Sequence, residues 1–181
     1  MDIFKHFPRI TYDNKESRNI ISKASFVKKV LEKYKIYYPY TIKDGERPDT
    51  IAYDYYGESS YEWLVCYPNN ILDIISDWPK SYAEFYRYLI SSYGTVSYAK
   101  STIHHYKYVG INDTPVEDIT RRKWFITPYS WSQMATEDKT GWEAVYLYDY
   151  EMELNEKKRE IQLLSNDYLS QVNKEVRELY A

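Results

Sequence analysis

The segment Tyr40-Thr-Ile-Lys-Asp-Gly-Glu-Arg-Pro-Asp-Thr-Ile-Ala-Tyr-Asp-Tyr-Tyr-Gly57 carries the strongest prediction of local structure in the chain. Polar and apolar residues alternate over residues 38–43, which is typical of a half-buried strand. Asp44-Gly45 then supplies a tight turn, because glycine accepts a positive φ without strain. Pro48 suits the first position of a helix, and Gly57 suits the residue just after its end. The segment therefore predicts a strand, a turn and a short helix.

Residues 59–79 predict a second short helix and a loop. Ser59-Ser-Tyr-Glu62 fits a capping box, in which a serine and a glutamate three residues later satisfy the first backbone N–H groups. Trp63 and Leu64 would then face inward, until Pro68 ends the helix. The loop carries Asn69-Asn70 and Asp77-Trp78-Pro79.

Three islands of sequence, in the same order, carry a family resemblance. They are Phe4-x-x-Phe7-Pro8-x-Ile10-x-Tyr12; Gly45-x-Arg47-Pro48 through Tyr56-Gly57-x-x-x-Tyr61-x-Trp63, with Asn69-Asn70 and Trp78; and Tyr150-Glu151 followed by Asn155-Glu156-Lys157-Lys158-Arg159-Glu160-Ile161-Gln162-Leu163-Leu164. A strand leading through Asp-Gly into two short antiparallel helices resembles the first three elements of a LysM module. The whole pattern resembles the LysM-like baseplate wedge protein of T4-type contractile-tailed bacteriophages.

The resemblance implies a structural virion protein. In that family this small protein completes a wedge and joins neighbouring wedges into the hexagonal baseplate. The implied partners are other baseplate wedge proteins and hub or tube-proximal proteins, in a hetero-oligomeric assembly with several copies per virion. The implied location is the tail baseplate, with assembly in the host cytoplasm.

Composition excludes several other classes of function. The 181 residues carry a formal net charge of -3, which gives no electrostatic case for a nucleic-acid or anionic-membrane partner. Cys66 is the only cysteine, so an intramolecular disulfide and a cysteine-rich metal site are excluded. No apolar run approaches the roughly 20 residues that span a bilayer. The first residues also lack the basic and apolar segments of a secretory signal, so we expect no export.

The 23 tyrosines stand against only 5 glycines. Tyrosine has a large apolar body and a polar tip, which suits surfaces that are wet before assembly and buried afterwards. Many tyrosines belong equally well to ordinary strands and helix faces. Stacking on carbohydrate needs the same residue type, so the count leaves both protein and glycan partners open.

The flanking segments predict further helices and strands. Apolar residues recur at three- and four-residue steps over residues 17–34, which predicts an amphipathic helix. Aromatic and β-branched residues over 102–109 and 122–127 predict an antiparallel pair joined by a long loop. One of these strands could pair beside residues 38–42 and close the LysM-like sheet. Residues 81–93 predict another helix.

Residues 142–181 predict a long helical segment with a break near residues 165–167. Its apolar stripe recurs at three- and four-residue steps and is interrupted at Lys157. At about 1.5 Å per residue such a segment could reach roughly 50 Å. A lone helix of this length cannot bury its stripe on itself, so we expect part of it to pack against another subunit.

The predicted fold class is α+β. It has a small LysM-like strand-helix-helix(-strand) core, an N-terminal helix, additional antiparallel strands and a long C-terminal helix. The predicted segments are an N-terminal aromatic arm with its amphipathic helix (1–35), the LysM-like core (36–79), a helix plus β-rich extension (80–141) and the long C-terminal helical segment (142–181).

The sequence offers little for catalysis. Adjacent histidines in a regular strand point to opposite faces, so we interpret His104 and His105 as structural residues and not as a metal pair. Cys66 has no basic neighbour in sequence, and we interpret it as a small buried thiol. Carboxylate pairs such as Asp73 and Asp77 are expected by coincidence among 27 acidic residues. We predict no enzymatic activity, no cofactor, no metal and no small-molecule substrate.

A peptidoglycan-binding module without catalytic activity is the alternative hypothesis. LysM modules usually bind glycans that contain N-acetylglucosamine, in a shallow groove beside the first turn. The usual Gly-Asp-Thr turn is replaced here by Gly45-Glu46-Arg47, and the usual Asn-Pro by Asn69-Asn70. These departures favour reuse of the surface for protein contacts. The positions that match the groove are Gly45, Glu46, Arg47, Asn69, Asn70 and Ile71.

The predicted contacts with partner proteins lie on the core and on the C-terminal segment. Tyrosine, tryptophan and arginine dominate binding hot spots, which motivates the choice around the core. Trp63 and Trp78 also suit the core interior, because large aromatics after a capping box or before proline usually pack inward. The contact residues are Arg47, Tyr53, Tyr55, Trp63 and Trp78 around the core, and Tyr150, Leu154, Ile161 and Leu164 on the predicted helix.

Overall fold

A computed structural model describes residues 8–19, 37–110 and 125–180. Helices and antiparallel strands in small sheets give these residues an α+β fold, as predicted. In chain order the elements are β1 (Arg9–Tyr12), β2 (Lys15–Arg18), β3 (Tyr37–Thr41), α1 (Pro48–Tyr56), α2 (Glu62–Cys66), α3 (Ile74–Asp77), α4 (Tyr82–Tyr93), α5 (Val96–Ser101), β4 (Ile103–Tyr108), β5 (Phe125–Ile126), α6 (Pro128–Gln133), β6 (Trp142–Tyr146), α7 (Leu147–Lys157), β7 (Glu160–Leu164) and α8 (Leu169–Tyr180).

The chain divides into two compact units. The core unit comprises residues 1–79 and 158–181, and the inserted unit comprises residues 80–157. The predicted C-terminal segment 142–181 therefore contributes to both units. No helix among the described residues is long and apolar enough to cross a membrane.

The turn and helix predicted at the start of the core are confirmed. Gly45 has a φ of 76° in the turn after β3, and Pro48 is the first residue of α1. Gly57 has a φ of 82° and its N–H donates to the carbonyl of Tyr53 at 2.9 Å, which ends α1 in a left-handed cap. Ser59 begins a 3-10 turn (Ser59–Tyr61) ahead of α2 in place of the predicted capping box.

The predicted long C-terminal helix is wrong. Residues 142–181 contain β6, α7, β7, a 3-10 turn (Asn166–Tyr168) and α8. Buried Ile161 and Leu163 alternate with exposed Gln162, which is the period of a strand. Apolar positions at 161 and 164 fit helical spacing equally well, so the spacing alone could not distinguish the two structures.

The strand β7 closes the core sheet. It pairs antiparallel with β3, with Tyr37 opposite Leu164 and Thr41 opposite Glu160. The strands predicted within residues 102–127 do not fill this position. The strand–helix–helix–strand order of the core is therefore completed by residues that follow the inserted unit in sequence.

Helices α1, α2 and α8 share one hydrophobic core with the β3–β7 sheet. Its largest fully buried side chains include Ile42, Ile51 and Leu64. Val172 and Val176 of α8 are also completely buried in this cluster. The buried side chains of this cluster among the described residues are Ile42, Ile51, Ala52, Tyr56, Trp63, Leu64, Val65, Cys66, Ile71, Trp78, Ile161, Leu163, Leu164, Val172 and Val176.

The inserted unit has a three-stranded sheet in the order β5-β4-β6. Tyr106 of β4 lies opposite Ile126 of β5, which confirms the predicted antiparallel pair. The predicted helix over residues 81–93 is also confirmed, with a capping box between Ser81 and Glu84. Phe85, Leu89 and Ala99 form a second, separate cluster of buried side chains.

The N-terminal segment differs from its prediction where the structure describes it. Asp13 and Asn14 both have positive φ and form the two-residue turn of the β1–β2 hairpin. Ser17 and Arg18 belong to β2, so the helix predicted over residues 17–34 does not begin at Ser17. The remainder of that predicted helix, residues 20–34, lies outside the described residues.

Candidate protein interface

The Asn69 side chain is bound within the fold. Its amide nitrogen donates to the carbonyl oxygens of Val65 and Gln162, each at 2.8 Å. Its amide oxygen accepts from the backbone N–H of Gln162, also at 2.8 Å. Gln162 therefore turns both backbone polar groups away from β3, and Asn69 pairs with them as a neighbouring strand would. The side chain closes the outer edge of β7 at this point.

The Glu46 side chain is likewise held within the turn. Its carboxylate accepts from the Tyr40 hydroxyl at 3.0 Å and from the Lys43 N–H at 2.8 Å. The Trp78 indole N–H donates to the Glu46 carbonyl at 2.8 Å. Burial and the bond to Glu46 raise the pKa of Tyr40 to about 12.

The other predicted groove positions divide between interior and surface. Ile71 is buried in the core. Asn70 is exposed and left-handed, with a φ of 57°. Arg47 is exposed and pairs with Asp49 at 3.1 Å. Because Glu46 and Asn69 are bound internally, this surface offers few polar groups for a glycan.

The contact residues predicted around the core also divide. Tyr53 is 63% exposed on α1. Tyr55 is half-buried, with its ring edge-on to Tyr56 at 4.8 Å between centroids. Trp63 and Trp78 are buried in the core. Arg47 and Tyr53 thus remain available on the surface of the core unit.

The contact residues predicted on the C-terminal segment lie in different units. Ile161 and Leu164 are buried in the core unit on β7, so they are not on an exposed helix stripe. Tyr150 and Leu154 lie on α7 of the inserted unit. The Tyr150 ring stacks on His104 at 3.9 Å, and Leu154 is exposed.

Three exposed apolar side chains that the sequence did not single out lie close together along the chain in the core unit. Leu72 is 76% exposed, Ile74 is 47% exposed and Ile75 is 87% exposed. We call these three residues the apolar knob. The signal was present in the sequence, since four of the five residues 71–75 are aliphatic. Apolar side chains that gather on the surface in this way mark interaction sites.

Backbone and side-chain hydrogen bonds hold the segment that carries the knob. The Asp77 carboxylate accepts from the N–H groups of Leu72 and Asp73, each at 3.0 Å. The Asp73 carboxylate accepts from the Ile75 N–H at 3.0 Å and from the Ser76 hydroxyl at 2.6 Å. These bonds lower the pKa of both carboxyl groups, so both are ionised at neutral pH.

The inserted unit exposes aromatic side chains of its own. Phe125 of β5 is 66% exposed and Tyr129 of α6 is 77% exposed. We call this pair the aromatic rim. Nearby on the chain, Trp131 stacks on Tyr106 with 4.1 Å between ring centroids. The rim therefore projects from elements that are fixed by ring stacking.

A family model described as base plate wedge protein 53 matches residues 4–178. The chain belongs to this family. No curated protein matches it. The predicted baseplate wedge family is thereby confirmed, while the LysM resemblance stays a prediction.

Membership in the family assigns the chain a structural role in the phage baseplate. A base plate wedge protein is a component of the virion tail, where it assembles with other baseplate proteins. The exposed apolar and aromatic side chains of this wedge protein are therefore candidate contacts with other subunits.

The histidine pair of this wedge protein departs from its prediction. A register shift between β4 and β6 at residues 103–105 replaces the regular alternation of the strand. The Nδ1 atoms of His104 and His105 consequently lie 2.8 Å apart, and the two rings do not point to opposite faces. Burial and the neighbouring His104 lower the pKa of His105. Within residues 8–19, 37–110 and 125–180, no cluster of three or more potential ligands is placed to hold a metal ion.

Cys66 is buried on α2, as predicted. Burial, with a smaller effect of Glu62, raises the pKa of its thiol to about 12. The thiol is therefore protonated at neutral pH and is a poor nucleophile.

We expect the wedge protein to lose stability in alkaline solution. Cys66 and Tyr40 have a folded-state pKa of about 12, above the ordinary values of 9.0 and 10.0. Their contribution to the free energy of unfolding is fully present below about pH 9, where both groups are protonated in the folded and the unfolded state. It is lost as pH rises toward about 12. The melting temperature should be level between about pH 7 and 8.5 and fall above that range. Tyr40→Phe should reduce the steepness of the fall, and Tyr53→Phe, at an exposed position, serves as its control.

Proposed function

We propose that this wedge protein links neighbouring wedges and other baseplate subunits during tail assembly. Its partners in this proposal are other wedge proteins and hub or tube-proximal proteins, in several copies around a sixfold baseplate assembled in the host cytoplasm. The observation that supports a linking role is the division into two units, each with its own buried core and its own exposed apolar groups. A chain with two such units can contact two neighbours.

The core unit offers the apolar knob, Tyr53 and Arg47 for one neighbour. The three knob residues present aliphatic surface, Tyr53 an aromatic ring with a hydroxyl, and Arg47 an exposed guanidinium. This combination suits a protein partner, because interface centres are rich in apolar and aromatic groups with arginine. The internal bonds of Glu46 and Asn69 favour this use of the surface over glycan binding.

The inserted unit offers the aromatic rim, with Tyr150 and Leu154 on α7. Rigid aromatic side chains lose little conformational entropy when they are buried, so they serve well as anchors. Phe125 and Tyr129 are largely exposed in the isolated chain, and burial by a neighbour would remove their rings from water.

We infer that the chain acts by adhesion, without catalysis. Its thiol is buried with a raised pKa, and its adjacent histidines pack against each other and against Tyr150. These placements suit structural roles for the residue types that most often act as nucleophiles or bases.

The linking role is tested by reconstitution. Wedges purified from phage that lack this chain are mixed with the purified protein, and sedimentation velocity separates single wedges from joined assemblies. The wild-type chain is expected to convert wedges into joined rings. Equal joining without the chain, or binding to wedges without any joining, would argue against the proposal.

A variant of the inserted unit sharpens this test. Phe125→Ser combined with Tyr129→Ser is expected to lower the joined fraction at least about tenfold, because two aromatic anchors are lost. Tyr98→Ser removes another exposed aromatic side chain of the same unit and should leave joining unchanged. If the two variants behave alike, the aromatic rim is not the contact.

A further inference from the structure

We propose that the apolar knob of Leu72, Ile74 and Ile75 inserts into an apolar pocket with a cationic rim on another baseplate subunit. This inference rests on the proposed linking function and names the surface and the chemistry of one of its contacts. The knob stands out because its three aliphatic side chains lie within four residues and are among the exposed large apolar groups of the chain. Single exposed aliphatic residues are ordinary, whereas a rigid group of three is not.

The knob is preorganised for insertion. Ile71 and Trp78, on either side of the knob segment, are both buried in the core. Between them, the carboxylates of Asp73 and Asp77 accept from three backbone N–H groups and from the Ser76 hydroxyl, and these bonds hold the segment. The Lys158 ammonium adds a bond to the carbonyl of Ser76 at 2.5 Å. Little backbone freedom remains to be lost on binding, which favours affinity.

The exposed area of the knob distinguishes between a second copy of this chain and a larger subunit as its partner. Three aliphatic side chains at these exposures present on the order of 350 Å² of accessible surface, less than half of the ~800 Å² per partner in a standard interface. A second copy that met this chain knob to knob would bury too little for a stable dimer. The area fits a hot-spot anchor that a larger subunit encloses in a pocket.

The charge near the knob indicates which residues would line the rim of that pocket. Asp73 and Asp77 are ionised at its base, and Lys158 supplies one ammonium beside them. Two carboxylates and one ammonium leave a net negative charge in the segment that carries the knob, and we call these three groups the collar. Arginine or lysine on the rim of the pocket would complement this collar, whereas an acidic rim would be repelled.

The test uses purified wedges from phage lacking this chain as the binding probe. Leu72→Ser combined with Ile75→Ser is expected to weaken binding at least about thirtyfold, because two hot-spot anchors are lost. Both positions are exposed, so the melting temperature should stay close to that of the wild type. Ile90→Ser, at a half-exposed aliphatic position of the inserted unit, is the matched control and should bind normally.

Salt and self-association complete the test. Wild-type binding should weaken severalfold between about 50 and 500 mM NaCl, since screening reduces the attraction between collar and rim. If the affinity does not depend on salt, the inference that the pocket has a cationic rim is wrong. The isolated chain is expected to be a monomer. If it forms a dimer and the double variant does not, the partner of the knob is a second copy of this chain and not another baseplate subunit.

The failure of this inference can be told apart from failure of the linking function. If the wild-type chain joins wedges and the knob variant joins them equally well, the knob inference is wrong and the linking function stands. If the wild-type chain binds wedges through the knob without joining them, the knob inference stands and the linking function is wrong.

Discussion

Leu164→Ala is expected to lower the free energy of unfolding of the core unit by about 3–4 kcal/mol, through lost apolar burial and the cavity left behind. Leu164 lies on β7 opposite Tyr37, and its side chain is 0% exposed. A native domain is stable by only about 5–15 kcal/mol, so this loss is a large fraction of the total. Urea denaturation followed by circular dichroism measures it.

Leu154→Ala is the matched control for this prediction. Leu154 belongs to the same apolar stripe in the sequence, but it is 40% exposed on α7. Its replacement should cost less than about 1 kcal/mol, because much of the side chain is already in water. If both variants lose the same small amount, Leu164 is not in a core and the β3–β7 closure is wrong.

Asn69→Asp is expected to cost about 2–4 kcal/mol, because two donor hydrogen bonds are lost and a negative charge faces two carbonyl oxygens. The amide now bridges Val65 at the end of α2 and Gln162 in the middle of β7. The change keeps the shape of the side chain and its acceptor oxygen, so the loss reports the two donor bonds together with the repulsion that replaces them. Thermal and urea unfolding of the variant measure the cost.

Gln162→Glu is the control for the change from amide to acid. Gln162 meets Asn69 through its backbone, and its own side chain is exposed. This variant adds the same charge on β7, next to the bonds of Asn69, and should stay within about 0.5 kcal/mol of the wild type. Equal losses in the two variants would mean that added negative charge near β7, and not the closure of its edge, controls stability.

The start of the core could be predicted because its signals are local. The positive φ of Gly45 and Gly57, and the place of Pro48 at the start of α1, follow from the conformational limits of those residues. The helix α4 is similar, because a capping box and a terminal glycine mark its two ends. In each case the deciding interactions join residues within a few positions of one another.

The C-terminal half could not be predicted in the same way because tertiary pairing decides it. The strand β7 forms where Ile161 and Leu163 meet β3, more than a hundred residues earlier in the chain. No local sequence pattern indicates that this segment pairs with β3, and helical spacing fits the same apolar positions. The histidine pair shows the same limit, since a register shift in β4 brings together two rings that regular alternation would separate.

The exposure of the predicted contact residues could be foreseen only in part, for a related reason. Residue type suggested Tyr53 and Arg47, which are exposed, but it also suggested Ile161 and Leu164, which the sheet buries. The apolar knob was missed because an aliphatic run reads as core until its neighbours are known. Its three side chains are exposed, while the backbone of the same segment is held by the bonds of Asp73 and Asp77.

Cross-linking of purified baseplates, with the linked residues identified by mass spectrometry, tests the linking account most directly. Lysines of the core unit and lysines of the inserted unit are expected to link to different neighbouring subunits. Lys158, beside the apolar knob, and Lys139, near the aromatic rim on the chain, are suitable reporters. If every link from both units leads to one and the same neighbouring subunit, the chain does not join two neighbours and the linking function is contradicted.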